Sequence, residues 1–234
     1  MIKRVVIIGH TGFIGTHVEQ ALRKNHADLE IIGLSFPGFD MVRDSEKLKQ
    51  YLTQDTAIVM LAAVKKQLGD SVDNFQQNLD IITSFCRVVE VSKVGRVIYF
   101  SSAAVYGESI EQGIISENTP VQPQTYYGIA KYASERLLLK AVKKELVILR
   151  PAVIYGSGDM AAYGPSGFLQ SSLADKEIVL WGDGSEMREF IFVLDVARIV
   201  EQLLFSNYTG VLNVASSQSY SYQNILEIIR TKTG

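Results

Sequence analysis

The chain has 234 residues, 47% hydrophobic and 21% charged, with a net charge of -2 at neutral pH. This is enough chain to bury a large core, in the composition of an ordinary soluble globular protein. The small net charge gives no field for nucleic acid or an anionic membrane. Cys86 is the only cysteine, which excludes an intrachain disulfide or a cysteine-rich zinc site. His10, His17 and His26 are scattered without a ligand pattern, so no metal is expected.

The first residues run straight into the apolar stretch 5–8, without the long apolar region and cleavage site of a signal peptide. A cytoplasmic protein is expected from this. Residues 5–8 are continuous and β-branched, the pattern of a strand buried on both faces of a parallel sheet. Gly9-His10-Thr11-Gly12-Phe13-Ile14-Gly15 follows, and Val18, Ala21 and Leu22 continue at helical spacing. A strand, a glycine turn and a helix aim backbone N–H groups where a pyrophosphate can bind.

Residues 30–35 read as a second strand, 36–39 as a turn, and 45–52 as a short helix capped by Asp44 or Ser45. A full helix does not fit between this strand and the next, residues 57–63. Residues 71–92 form a long helix in which Val72, Phe75, Leu79, Ile82, Cys86 and Val89 make an apolar stripe. The stripe packs on the sheet or forms a seam with a second copy. Residues 96–100 are a strand ending in Ser101-Ser102, and 146–150 another ending at Pro151. Small polar residues at the carboxyl end of a strand sit where open α/β sheets place their ligands. Beyond Gly156 a loop-rich stretch precedes short strands at 178–180, 189–193 and 211–214 and helices at 195–205 and 222–232. The alternation predicts α/β architecture, a doubly wound parallel sheet of Rossmann type with a small, incomplete C-terminal substrate-binding region. Residues 1–156 are expected to form the dinucleotide-binding domain, and 157–234 a substrate-binding region interleaved with the last elements of the sheet.

Between the strands at 96–100 and 146–150 lies Tyr127-x-x-x-Lys131. Four residues apart on a helix, the two side chains share one face. A phenol with a pKa near ~10 is a poor base at neutral pH, and a neighbouring ammonium stabilises its phenolate. Such a pair can take a proton from an alcohol while another group takes the hydride. Tyr-x-x-x-Lys alone also fits a half-buried aromatic beside a solvated lysine; its company decides between the two.

That company resembles the extended short-chain dehydrogenase/reductase family, in its nucleotide-sugar epimerase and dehydratase branch. The resemblance runs along nearly the whole chain. It is carried by the three-glycine turn, Leu61-Ala62-Ala63, Asn78, Ser101-Ser102-x-x-Val105-Tyr106-Gly107, Tyr127-x-x-x-Lys131, Arg150-Pro151-Ala152-x-x-Tyr155-Gly156 and Trp181-Gly182-Asp183-Gly184, followed by Arg188-Glu189-Phe190 and Asp195-Val196-Ala197. It implies an NAD-dependent enzyme acting on a nucleotide sugar as a homodimer. The dimer would use the helix at 71–92 and one at 126–143, where Ala130, Ala133 and Leu137 offer a smooth face.

The resemblance also assigns roles. Gly9, Thr11, Gly12, Phe13, Ile14 and Gly15 would hold the NAD pyrophosphate, and Asp40 or Asp44 the adenine edge. Leu61, Ala62, Ala63, Ser101 and Pro151 would line the cofactor, with Asn78 steadying its helix. Lys65 would lie near cofactor and substrate phosphates. Tyr127 would be the base, Lys131 its partner on the ribose, and Ser102 the hydroxyl that bonds the reacting oxygen, with Ala103 beside it. Arg188 would pair with the substrate pyrophosphate, or remain a surface cation.

The chain departs from the family pattern in several places. Ser35 stands where relatives place an acid on the adenosine ribose, which removes the charge that repels the phosphate of NADP; no basic residue immediately follows to bind that phosphate, so a weak preference for NAD over NADP is expected. Val153 replaces a polar residue that faces the substrate in many relatives. Family members usually continue past the position matched by Gly234, which implies an abbreviated pocket or a shortened chain. Relatives that dehydrate carry Asp-Glu after the catalytic hydroxyl; here Ala103 and Ala104 stand there. The expected activity is therefore a 4-epimerase, with a 4-ketoreductase or a non-catalytic dinucleotide-binding protein as alternatives.

Overall fold

The protein is described by a computed structural model covering residues 1–107, 114–159, 164–180 and 182–233. Six strands form one parallel sheet, in the order β2 (Glu30–Leu34), β1 (Arg4–Ile8), β3 (Thr56–Met60), β4 (Arg96–Phe100), β5 (Leu146–Pro151) and β8 (Gly210–Val214). Their side chains alternate between two cores, as the two-residue period of a strand requires. Val6, Ile8, Ile58, Met60, Val97, Tyr99 and Ile148 pack under Ile82, Phe85 and Leu138 of α2 (Val72–Val91) and α3 (Tyr126–Ala141). Val5, Ile7, Ala57, Val59, Ile98, Phe100 and Val147 pack under Val18, Leu22, Val196 and Val200 of α1 (Phe13–Asn25) and α5 (Val193–Leu204). Both faces are covered, which is why these strands read as unbroken apolar runs. Leaving β1, the chain steps to one side to make β2 and to the other to make β3, β4 and β5. That reversal opens a crevice at the carboxyl ends of β1 and β3, where such sheets bind ligands.

Between β2 and β3 the chain makes only a 3-10 helix, Ser45–Tyr51, whose Leu48 plugs the core. Asp44 precedes it without bonding its amides through the side chain. The stripe expected along α2 is buried at Ile82, Cys86 and Val89, but Val72 is exposed, and Phe85 and Val88 join the core.

The C-terminal part differs most from expectation. A helix, α4 (Gly164–Leu173), occupies the stretch read as loop-rich. Pro165 in its first turn costs no intrahelical hydrogen bond, because amides there have no partner in the helix. Phe168 anchors it in a third core with Phe190, Ile225 and Ile229. Residues 178–180 are not a strand. Instead β6 (Val153–Tyr155) pairs in parallel with β7 (Met187–Phe192), and β7 pairs antiparallel with β9 (Ser219–Ser221). The last helix, α6 (Tyr222–Thr233), packs on this small sheet. Trp181 lies outside the described residues. Among the described residues no helix is long and apolar enough to cross a membrane.

Candidate active site

The glycine turn links β1 to α1 at the sheet's reversal point. Gly9 takes φ +97°, in the left-handed region that favours glycine. A Cβ on Gly15 would lie 2.3 Å from Gly9 O and 2.7 Å from His10 Cα, so only glycine lets the helix start this close to the turn. The N-cap, Gly12, offers no side-chain cap, and the first turn of α1 holds no acid. A helix end left electropositive in this way suits an anion. Thr11 N–H donates to Ser35 Oγ at 3.2 Å, tying the turn to the end of β2. Leu61 and Ala62 continue β3 past the turn, each within 3.2 Å of where a Gly9 Cβ would stand.

Asp40 lies just beyond β2 and is bound within its own turn. It accepts from Val42 N–H at 2.9 Å and Arg43 N–H at 3.3 Å, and pairs with Arg43 Nε at 3.1 Å. The Val42 amide, with help from Arg43, holds its carboxyl below the usual range despite partial desolvation. Asp44 accepts from Asp40 N–H at 2.9 Å and pairs with Lys47 at 2.8 Å.

On the other side of the crevice, α3 brings Tyr127 and Lys131 to the end of β4. Thr125 caps α3, its Oγ1 accepting from Gly128 N–H at 3.1 Å. Lys131 is 4% exposed and donates from Nζ to Phe100 O at 2.7 Å. The same Nζ is 5.8 Å from the centre of the Tyr127 ring and 5.0 Å from that of Tyr99. Burial pushes the Lys131 pKa down to about 8, against the pull of the nearby Glu135 carboxylate. Ser102 sits two residues past Phe100 in extended conformation, and its Oγ accepts from Ala104 N–H at 3.1 Å. It opens a 3-10 turn, Ala103–Tyr106, that packs directly on α3. A Cβ on Gly128 would be 2.7 Å from Ala104 O, so the glycine after Tyr127 is what admits the Ser102 loop. Ser102, Ala103, Tyr127 and Lys131 are thus gathered at one strand end.

Beneath them lies a buried polar network. Ser101 Oγ donates to Glu135 Oε1 at 2.5 Å. Arg150 grips the same carboxylate with Nε at 3.0 Å and Nη2 at 2.6 Å, and donates through Nη1 to Tyr106 Oη at 2.9 Å. Tyr106 passes the chain on to Asn213 Oδ1 at 2.7 Å. Burial opposes the Arg150 charge, but its bonds to Glu135 and Tyr106 outweigh that and raise its pKa. Glu135 belongs to none of the motifs above, although its spacing from Lys131 is the spacing of Lys131 from Tyr127.

The remaining candidates are more dispersed. Asn78, buried on α2, clasps Val64 through N–H at 2.9 Å and C=O at 3.1 Å. Lys65 follows in an exposed loop. Pro151 is buried at the end of β5. Ser101 is buried and spends its hydroxyl on Glu135. Arg188 stands half-buried on β7 in the small sheet and pairs with Glu186.

A doubly wound parallel sheet with a glycine turn at its reversal point and a Tyr-Lys helix beside it defines a Rossmann-type nucleotide-binding protein. The chain belongs to the NAD dependent epimerase/dehydratase family, whose model matches residues 5–215. A UDP-glucose 4-epimerase of Lactobacillus helveticus is 24% identical over 272 residues, covering 99% of this chain and 82% of that protein. A trifunctional UDP-glucose 4,6-dehydratase/UDP-4-keto-6-deoxy-D-glucose 3,5-epimerase/UDP-4-keto-L-rhamnose-reductase of Arabidopsis thaliana is 24% identical over 262 residues, which span 97% of this chain but 38% of the plant protein. Among solved structures, a UDP-glucuronic acid 4-epimerase from Bacillus cereus in complex with UDP-glucuronic acid and NAD superposes with a TM-score of 0.86 at 25% identity, over 97% of this chain and 82% of that one.

Proposed function

We propose that the protein is an NAD-dependent nucleotide-sugar 4-epimerase with Tyr127 as its acid/base. The observation that carries this reading is the ammonium of Lys131, buried one helical turn from Tyr127 and held at the strand end that leads to Ser102. The uncapped, acid-free start of α1 and the close fit at Gly15 suit the cofactor's pyrophosphate, which Thr11, Gly12, Phe13 and Ile14 would hold. Asp40 would meet its adenine, and Leu61, Ala62, Ala63 and Pro151 would line its nicotinamide half. Ser35 brings no carboxylate to repel a ribose phosphate and no basic residue immediately follows to bind one, so the preference for NAD over NADP is weak. When bound, NAD would supply a reversible hydride acceptor for sugar C4.

The chain's own residues handle the proton. Tyr127 Oη takes it from the C4 hydroxyl and gives it back after the sugar has presented its other face. The Lys131 charge favours the phenolate that does this. Ser102 Oγ orients the reacting oxygen. Lys65 and Arg188 meet substrate phosphates, and residues 157–234 supply the sugar side of the crevice.

Dehydration across C5 and C6 needs an acid and a base beside the oxidised sugar. Ala103 and Ala104 follow Ser102, and methyl groups neither give nor take a proton. Turnover of a panel of nucleotide sugars in heavy water tests the reading. The C4 epimer is expected, without solvent deuterium on carbon and without net change in the cofactor. Deuterium at C5 with loss of the 6-hydroxyl would overturn it in favour of a dehydratase; stoichiometric loss of reduced cofactor would make it a ketoreductase.

We also infer a homodimer through α2 and α3. Ala130 is 1% exposed and cannot contribute, contrary to the expectation from sequence. Val72 of α2 and Tyr126, Ile129 and Leu139 of α3 are exposed apolar residues of these two helices. Light scattering is expected to give twice the chain mass; a monomer mass at all concentrations rejects the dimer.

A further inference from the structure

The first turn of a helix carries N–H groups with no acceptor inside the helix. At the start of α3 three of these are met by side chains. Thr125 Oγ1 accepts from Gly128. The other two converge on one carboxylate from a different part of the chain: Asp70 Oδ1 accepts from Tyr127 N–H at 3.0 Å, and Oδ2 from Tyr126 N–H at 3.3 Å. Asp70 ends the loop 64–70 that leaves β3. That loop is fastened at its other points by α2. Asn78 clasps Val64, and Asn74 Nδ2 donates to Leu68 O at 3.3 Å and Gly69 O at 2.7 Å. Lys65 lies between these fastenings.

We propose that Asp70 is a positioning residue, whose carboxylate clamps the Lys65 loop to the first turn of the helix that carries Tyr127. This rests on the reading above, in which Tyr127 moves the proton and Lys65 meets phosphate. An ionised acceptor at the positive end of a helix makes short, charge-assisted bonds. Here those bonds end on the backbone of Tyr127 itself. On the following residue, Gly128, the Ser102 loop packs against the same turn. Tyr127 is therefore set between two loops, one leaving β3 and the other leaving β4. Loss of one leaves the turn free to fray, and a displacement of an ångström at a reacting group lowers a rate by large factors. Asp70, Tyr126 and Ser71 are exposed, so water can take over the released amides and little stability is lost.

The experiment compares the full chain with Asp70→Ala and Asp70→Asn, measuring kcat, KM for cofactor and sugar, melting temperature and amide hydrogen exchange. Asp70→Ala is expected to lower kcat about tenfold or more, with cofactor KM and melting temperature nearly unchanged. Exchange is expected to quicken together in 64–70 and in 125–130. Asp70→Asn, which keeps an oxygen for Tyr127 N–H, is expected to recover most of both. A simple helix cap would instead lower the melting temperature and leave kcat alone; that result, or exchange unchanged in either segment, overturns the clamp. Exchange needs no substrate. Coupled quickening in a protein whose unsubstituted form turns over no nucleotide sugar upholds the clamp and refutes the enzymatic reading. Unaltered turnover in Asp70→Ala refutes the clamp and leaves that reading intact.

Discussion

Replacing Tyr127 with phenylalanine is expected to lower kcat by about 10³-fold, within the range for loss of a positioned acid/base, while cofactor affinity and melting temperature stay as they were. The change removes one oxygen and keeps the ring that faces Lys131 at 5.8 Å. The residual rate comes from binding and orientation alone. A companion signature lies in the pH profile of the unsubstituted protein. The charged and titratable groups around Lys131 are Tyr99 on β4 and Tyr127 and Glu135 on α3. Burial lowers the pKa of Lys131 to about 8, so the ammonium is fully charged below that pH and lost above it. The support it gives the phenolate fades in the same direction, and kcat/KM is expected to fall as pH rises through about 8. Lys131→Met should erase that limb. Equal pH profiles for Lys131→Met and the unsubstituted protein would remove Lys131 from the proton chemistry.

The parts of this site that lie in local patterns are legible in the sequence. The glycine turn sits between a strand buried on both faces and an amphipathic helix. Tyr127 and Lys131 declare themselves by a one-turn spacing. Glu135 has that same spacing one turn further on, yet a carboxylate on a helix ordinarily faces water. Its burial depends on Arg150, which arrives from β5 and is itself buried only because Glu135 neutralises it. A mutual dependence between two elements leaves no signature in either. Asp70 is hidden for the same reason, since its partners are backbone amides of a distant helix. The fold shows the same division. Strands β1, β3, β4 and β5 stand out because both faces need apolar residues. Strands β6 and β9 are three residues long and exist only through their pairing with β7. Helix α4 is masked by Gly164 and Gly167, whose low helix propensity is overridden by the burial of Phe168.

The largest effect on stability is expected from Arg150→Met. Arg150 is 5% exposed and Glu135 2%, so the substitution leaves a carboxylate in the interior with, among the described residues, only the Ser101 hydroxyl to bond it. Breaking one side of a buried ion pair costs about 3–5 kcal/mol. Urea unfolding should register that loss as a lower midpoint with unchanged slope. The charge, and not the lost packing of the arginine, is the cause if the neighbour can be neutralised to advantage. In Arg150→Met/Glu135→Gln the amide oxygen still accepts from Ser101, neither charge of the pair remains, and Met fills much of the arginine stem's volume. The double variant is therefore expected to regain most of the stability, so that the coupling between the two sites exceeds half the loss seen in Arg150→Met. A double variant as unstable as Arg150→Met alone would show that the network acts through the geometry of its hydrogen bonds, with Tyr106 and Ser101 losing their places, and that the buried charge is incidental.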